Sequence, residues 1–487
     1  MISLDPALDA MNSWLHGRRD AMAADLARLI QAPSVRGPDR GAPVAGIAQA
    51  LDVARELSER AGLRYRQIED WVGYADLGEG SETVGVLLHL DVVPAGEGWT
   101  HPPFSGALVD GEVWGRGAQD DKGPVISVLH AAEAVARSGA PFQRRLRVIF
   151  GTDEESGVWT DIARYLECEP APTLGFVPDG CFPITSGEKG VLNVDLVAPA
   201  NRDAPARGIT VTSLWAGERA NIVPGSARAV LRSTASPESL AEALAHRADA
   251  YNSTHAKAAI GARVEREGVV VTAAGQIAHG SDPAGGHSAL LDLVDFLDAE
   301  DLTENGPGQM VRFLSSRVGF DLCGERLGLF ARHSFVGCTT VNIGVVSTGL
   351  DGACRAEANI RIPVGRTISD MVSGLERATG AHNRATGHGL RVDHVGAGHE
   401  PLYIEPDSEL VRALSRAFEA STGQPADLKA IGGTTFAKAM PNMVAFGPGM
   451  EGDPGCAHQV DERTSVAVLV RNALIYASAI RELCCVR

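Results

Sequence analysis

No stretch of the 487-residue chain approaches 18 consecutive apolar residues, the length a membrane-spanning helix needs. Its opening, MISLDPALDAMNSWLHGRRDAM, has no basic segment followed by an apolar one, so neither an export signal nor a membrane span is expected. Positive charge is in deficit. Lys and Arg number 44 against 61 Asp and Glu, and the net charge of −17 argues against nucleic acid or an anionic membrane as partner. None of the eight cysteines (Cys168, Cys181, Cys323, Cys338, Cys354, Cys456, Cys484, Cys485) forms a C-x-x-C pair. Thiols so scattered suit a reducing cytoplasm. Short-period repeats, low-complexity tracts and a clear Pro/Ser linker are also missing, which leaves domain edges soft. What is present, 44% hydrophobic and 22% charged residues, is the composition of a globular enzyme, long enough for two or three domains.

One stretch concentrates the chemistry: VGVLLHLDVVPAGEGWTHPPFSGALVDGEVWGRGAQDDKGP, residues 84–124. An expected strand over 84–93 carries His89 and Asp91 two residues apart, hence on one face. That suits a metal-ligating histidine whose second ring nitrogen is held by a carboxylate. A turn-rich loop then delivers Asp120 and Asp121 to the start of an apolar-striped helix, where the helix dipole favours acids. Asp120 could equally be an N-terminal cap.

Along the chain, residues 4–30 and 44–62 read as amphipathic helices. Strands are expected at about 64–70, 72–78 and 83–93, and the segments RLRVIFG and TLGFV add two more, with a helix near 158–168 between them. Alternation of strands and helices at this spacing indicates a mainly parallel α/β sheet. Ligands of such sheets bind beyond the carboxyl ends of the strands. Asp91, Glu154, Glu155 and Asp179 each sit at or just past such an end. From about 190 the texture shifts to alternating strands (GITVTSL, SARAVLRSTA, ARVEREGVVVTAA, TTVNIGVVS, ACRAEANIRIPVG) interleaved with helices, an α+β insertion with an antiparallel sheet. After about 396 the α/β texture resumes, with helices near 407–421 and 465–483. Cys456, two residues from His458, is a further conceivable metal ligand.

HLDVVPAGEGW, the Gly-rich approach to QDDKGP, then GTDEESG, VPDG, GEKG, AHGSDPAGG, NIRIP, IGGTTFA and MEGDPGCAHQVDE follow one another along the chain. In that order they resemble the M20 family of dinuclear metallopeptidases, and most nearly its PepV-like dipeptidase branch, from about residue 80 to 465. With the texture changes, the resemblance implies an α/β fold: a mainly parallel-sheet di-metal catalytic domain over 1–196 and 397–487, with an inserted α+β lid domain over 197–396.

The resemblance also implies roles. His89, Asp120, Glu155, Asp179 and His458 correspond to the metal ligands, with Asp120 shared, and Asp91 to the carboxylate that orients His89. Glu154 matches the general base, and His279 the residue that polarises the scissile carbonyl. Asn221, Arg361, Gly433 and Thr434 match positions that hold substrate. Two ions about 3.5–4 Å apart activate a water and polarise the amide oxygen in such centres. Zinc fits the oxygen-rich set best, and manganese or cobalt could serve. Thr434 stands where the family usually has a third glycine, and Ser288 replaces a common Asn, which bears on pocket size and polarity. The implied activity is hydrolysis of small unblocked dipeptides by a cytoplasmic monomer or homodimer. An N-acyl-amino-acid or acyl-diamine deacylase would share the metal site and differ in lid contacts. A catalytically silent binding protein is the alternative of another class, against which the intact Glu154 and full ligand set weigh.

Overall fold

The computed structural model describes residues 5–37 and 44–486. The chain forms two compact units, one of Met1–Gly187, Leu402–Ala430 and Thr435–Arg487, the other of Glu188–Pro401 with Ile431–Thr434.

In the first unit the strand Thr83–His89 runs parallel to both Arg145–Gly151 and Leu174–Val177, and Met443–Ala445 is parallel to Leu174–Val177. Val84, Val86 and Leu88 pack against one helical layer while Leu87 enters a separate core with Trp159, Ile162 and Phe436. A strand covered on both faces reads as an unbroken apolar run, as VGVLL does. The sheet is parallel only through its centre. Val72–Leu77 is antiparallel to Arg145–Gly151 and to Arg64–Ile68, and Ile184–Glu188 is antiparallel to Met443–Ala445, so the nine-stranded sheet is mixed.

Three local expectations change. The helix expected over 4–30 is two helices, Pro6–His16 and Arg19–Ile30, separated at Gly17, the residue type with the poorest helix propensity after proline. Residue 4 lies outside the described residues. The strand expected to reach 93 ends at His89: Leu90 still donates to the Gly151 carbonyl, but Val92 turns aside to bond the Ser34 carbonyl. The helix Lys122–Arg137 starts after Asp121 with no side-chain cap, so Asp120 is not its N-cap.

The second unit is an eight-stranded antiparallel sheet, in the spatial order Ala259–Glu265, Gly268–Ala274, Ser226–Ser233, Ile209–Ala216, Thr340–Thr348, Cys354–Ile362, Gly190–Ala198 and Arg391–His399. Leu192, Val194 and Leu196 alternate into a core completed by the helices Pro237–Thr254, Ala289–Asp298, Gly306–Phe313 and Ile368–Thr386. The segment ARVEREGVVVTAA, read as one strand, is a hairpin that turns at Arg266 and Glu267, with Gly268 at φ 146°. The unit runs from Glu188 rather than 197 and to Pro401 rather than 396, because the strands Gly190–Ala198 and Arg391–His399 pair with each other inside its sheet. Among the described residues no helix is long and apolar enough to cross a membrane.

Candidate metal centre

His89 closes its strand fully buried, and its Nδ1 lies 3.0 Å from the Asp91 carbonyl oxygen and 3.5 Å from the Asp91 carboxylate. A carbonyl oxygen only accepts, so Nδ1 carries a proton and Nε2 is the nitrogen turned toward Asp120, the one available to ligate a metal ion. The Asp91 carboxylate does a second thing that period-2 spacing does not reveal. Its two oxygens accept the backbone N–H of Glu154 (3.2 Å) and of Glu155 (3.1 Å), which fastens the acidic turn to the histidine strand. Asp161 holds the same turn from behind by accepting the N–H of Thr152 and Asp153.

Asp120 stands between two imidazoles. Its Oδ1 is 2.9 Å from His89 Nε2 and its Oδ2 is 3.1 Å from His458 Nε2, which also lies 2.9 Å from Glu155 Oε1. His458 has a positive φ of 63°, a conformation that costs a non-glycine residue energy and persists only when its surroundings hold it. Arg116, 2% exposed, donates to the Gln459 carbonyl next door, to Glu462 Oε2 at 2.7 Å, and to the carbonyls of Pro94 and Ala95. Glu462 Oε1 accepts the N–H of Gln119 and of Asp120. One buried ion pair thus ties the segments that carry His89, Asp120 and His458. Arg116 and Glu462 were not singled out from the sequence, and the only signal there was their place inside the GRGAQDD and HQVDE motifs.

Two overlapping groups have ligand atoms within 4.8 Å of one another and could hold a metal ion: His89 with Glu154 and Asp179, and His89 with Asp120 and Glu155. Burial pushes the Glu154 carboxyl well above the usual range, with the Asp179 charge adding to it. The buried Asp121 is raised in the same way, and its Oδ2 accepts the His89 N–H. Donating to the Asp120 and Glu155 carboxylates pushes His458 up to about 10. Acids crowded this closely call for positive charge, and a divalent cation supplies it compactly. The donor set, carboxylate oxygens with imidazole nitrogens, fits zinc-type ions. Cys456 is not part of it, since its Sγ is engaged by the backbone of Arg463.

The remaining expected site residues lie in the second unit and form a cluster of their own. His279 is paired with Ile222 in an antiparallel bridge, and Gly280 donates to the Asn221 carbonyl. Ser281 donates its N–H to His279 Nδ1 (3.2 Å), with its Oγ 2.7 Å away, so the imidazole proton is on Nε2. Burial and the Arg361 charge lower the His279 pKa, which keeps the ring neutral at pH 7. Arg361, 5% exposed, donates to the Gly432 carbonyl and to Asn359 Oδ1. Gly433 and Thr434 follow Gly432 in the same unit. Ser288 precedes the helix Ala289–Asp298 without capping it.

A family model described as Peptidase family M20/M25/M40 matches residues 85–482. A Bacillus subtilis (strain 168) protein named "Putative dipeptidase YtjP" is 33% identical over 442 residues, covering 90% of this chain and 91% of its own. Human carnosine dipeptidase 1 matches in fold with a TM-score of 0.55 at 18% identity, over 98% of this chain and 99% of its own. The aminopeptidase PepT from Bacillus cereus does so with a TM-score of 0.58 at 14% identity, over 96% and 98%.

Proposed function

The chain belongs to peptidase family M20/M25/M40, and from that footing we propose that it is a two-metal dipeptidase that cleaves small unblocked dipeptides. The observation that carries the reading is the Asp120 carboxylate, each of whose oxygens faces a different imidazole, His89 on one side and His458 on the other. His89, Asp120 and Asp179 would hold one divalent ion, and Asp120, Glu155 and His458 the second, with zinc favoured and manganese or cobalt able to serve. Bound there, such ions supply a nucleophilic water at neutral pH and polarise the amide oxygen.

The chain's own residues do the rest. Glu154 takes the proton from the attacking water and passes it to the leaving nitrogen. Asp91 keeps Glu154 and Glu155 at fixed height relative to His89 through its two backbone hydrogen bonds. His279, neutral with its proton on Nε2, is a donor for the developing oxyanion, a role worth about 3 kcal/mol. Arg361 and Asn221, with Gly433 and Thr434, bind the substrate's polar ends. We assign residues 1–187, 402–430 and 435–487 to the catalytic domain and 188–401 with 431–434 to the lid. The free cysteines fit a cytoplasmic setting, where the enzyme acts as a monomer or homodimer.

The test is a panel of unblocked dipeptides, N-acetyl amino acids and longer peptides, assayed with and without chelator and after metal add-back. Dipeptide hydrolysis lost to chelator and restored by metal is the expected result. Product from N-acyl substrates alone would replace the reading with a deacylase, and no turnover of any substrate would replace it with a binding protein.

A further inference from the structure

A cavity of about 430 Å³ lies inside the first unit, a size typical of small-ligand sites. Met450, Pro454, Val468 and Leu469 give it apolar walls, while Asp120 and Asp179 belong both to its wall and to the metal-ligating groups. The cavity is braced rather than collapsible. Asn472 donates its Nδ2 to the Pro448 carbonyl, and Arg471 pairs with Asp453 at 2.7 Å, so the loop over it is tied to the helix Val466–Cys484.

We propose that this cavity takes the N-terminal residue of the dipeptide and selects a large apolar side chain there, an inference that rests on the dipeptidase reading above. The place of the wall beside the metal groups decides which residue enters. The acids of this wall are compensated in the metal-loaded protein, Glu112 by Arg463, Asp453 by Arg471, and Asp120 and Asp179 by the ions they would hold, so position rather than charge makes the choice. Because Asp120 and Asp179 serve both places, a carbonyl held at the metal groups puts the side chain of its own residue next to this wall. Depth and apolar lining then favour leucine or phenylalanine over glycine.

Two readouts test this on the metal-loaded full chain. The first is kcat/KM for Leu-Gly, Phe-Gly, Gly-Leu and Gly-Gly. The second is calorimetric binding of leucine hydroxamate against glycine hydroxamate, which needs no turnover. The wild type should prefer Leu-Gly to Gly-Gly, and leucine hydroxamate to glycine hydroxamate, by about tenfold or more. Val468→Trp, which fills the cavity, should reduce both preferences at least tenfold while metal content stays at the wild-type value. Met450→Trp, from another segment of the wall, is the second variant should the first fold poorly. Equal binding of the two hydroxamates, or a preference that survives both variants, overturns the cavity assignment. Loss confined to Gly-Leu also overturns it, by placing the C-terminal residue there. Failure to cleave any dipeptide, with leucine hydroxamate still bound selectively, sinks the dipeptidase reading and leaves the cavity standing.

Discussion

Glu462→Gln removes a single charge from the buried tie between the metal-bearing segments. Wild-type Glu462 is 0% exposed and accepts from Arg116 Nη1 at 2.7 Å, Gln119 N at 2.9 Å and Asp120 N at 3.3 Å. The amide of Gln keeps one acceptor oxygen, so one of the two sides of that contact goes unmet. The Arg116 guanidinium would stay buried with only carbonyl partners, those of Gln459, Pro94 and Ala95. Removing one partner of a buried ion pair costs about 3–5 kcal/mol, and the surviving carbonyl contacts place this case near about 3. For a unit of this size that is a fall in melting temperature of about 6 °C or more. The second consequence is specific to the centre: with the Asp120 and His458 segments no longer tied, affinity for the ion shared with His458 should drop by about tenfold or more. Differential scanning calorimetry of metal-free protein gives the first quantity, and titration with zinc under a competing chelator gives the second. A variant that melts within about 1 °C of wild type and binds two ions with unchanged affinity would refute the clamp.

Glu154→Gln should retain both ions and substrate binding while kcat falls by about 10² or more. His279→Ala should also retain the ions and lower kcat and kcat/KM together, and turnover equal to wild type would remove the histidine from the mechanism. Elemental analysis should find two ions per chain in the wild type and none in Asp120→Ala, with Asp179→Ala and His458→Ala each weakening mainly one. Asp25 is held below the usual carboxylate range by its bonds with His130 and Arg60, which outweigh the opposing effect of burial. Its stabilisation is therefore fully present above about pH 4 and lost as pH falls through its lower folded value, so Asp25→Asn should cost about 2 kcal/mol at pH 7, a difference that shrinks in thermal melts below about pH 4 and closes only below the folded value. A fragment of residues 188–401 should be recovered in solution with a cooperative thermal transition, and a molten product would count against those domain limits.

Whatever depends on residues near one another in the chain was legible without coordinates. The apolar run VGVLL announced a strand covered on both faces, the alternation in the 190–396 segment announced an antiparallel sheet, and the order of the short motifs carried the family. His89, Asp120, Glu154, Glu155 and Asp179, which the fold gathers into groups that could hold a metal ion, each sit at a strand end or loop end inside such a motif. Folding had to decide the rest, since those choices rest on contacts between distant segments. Whether Asp120 capped a helix or met two imidazoles turned on His458, which reaches it from far along the chain. Spacing makes Asp91 a partner of one histidine, whereas its carboxylate also holds the backbone of residues more than sixty positions away. Glu462 bonds the N–H of Asp120 across 342 positions, a separation at which residue spacing carries no geometry. Local periodicity is set by the backbone's own repeat, whereas a buried charge is placed by whichever distant partner can compensate it, and that partner is known only once the chain has closed around both.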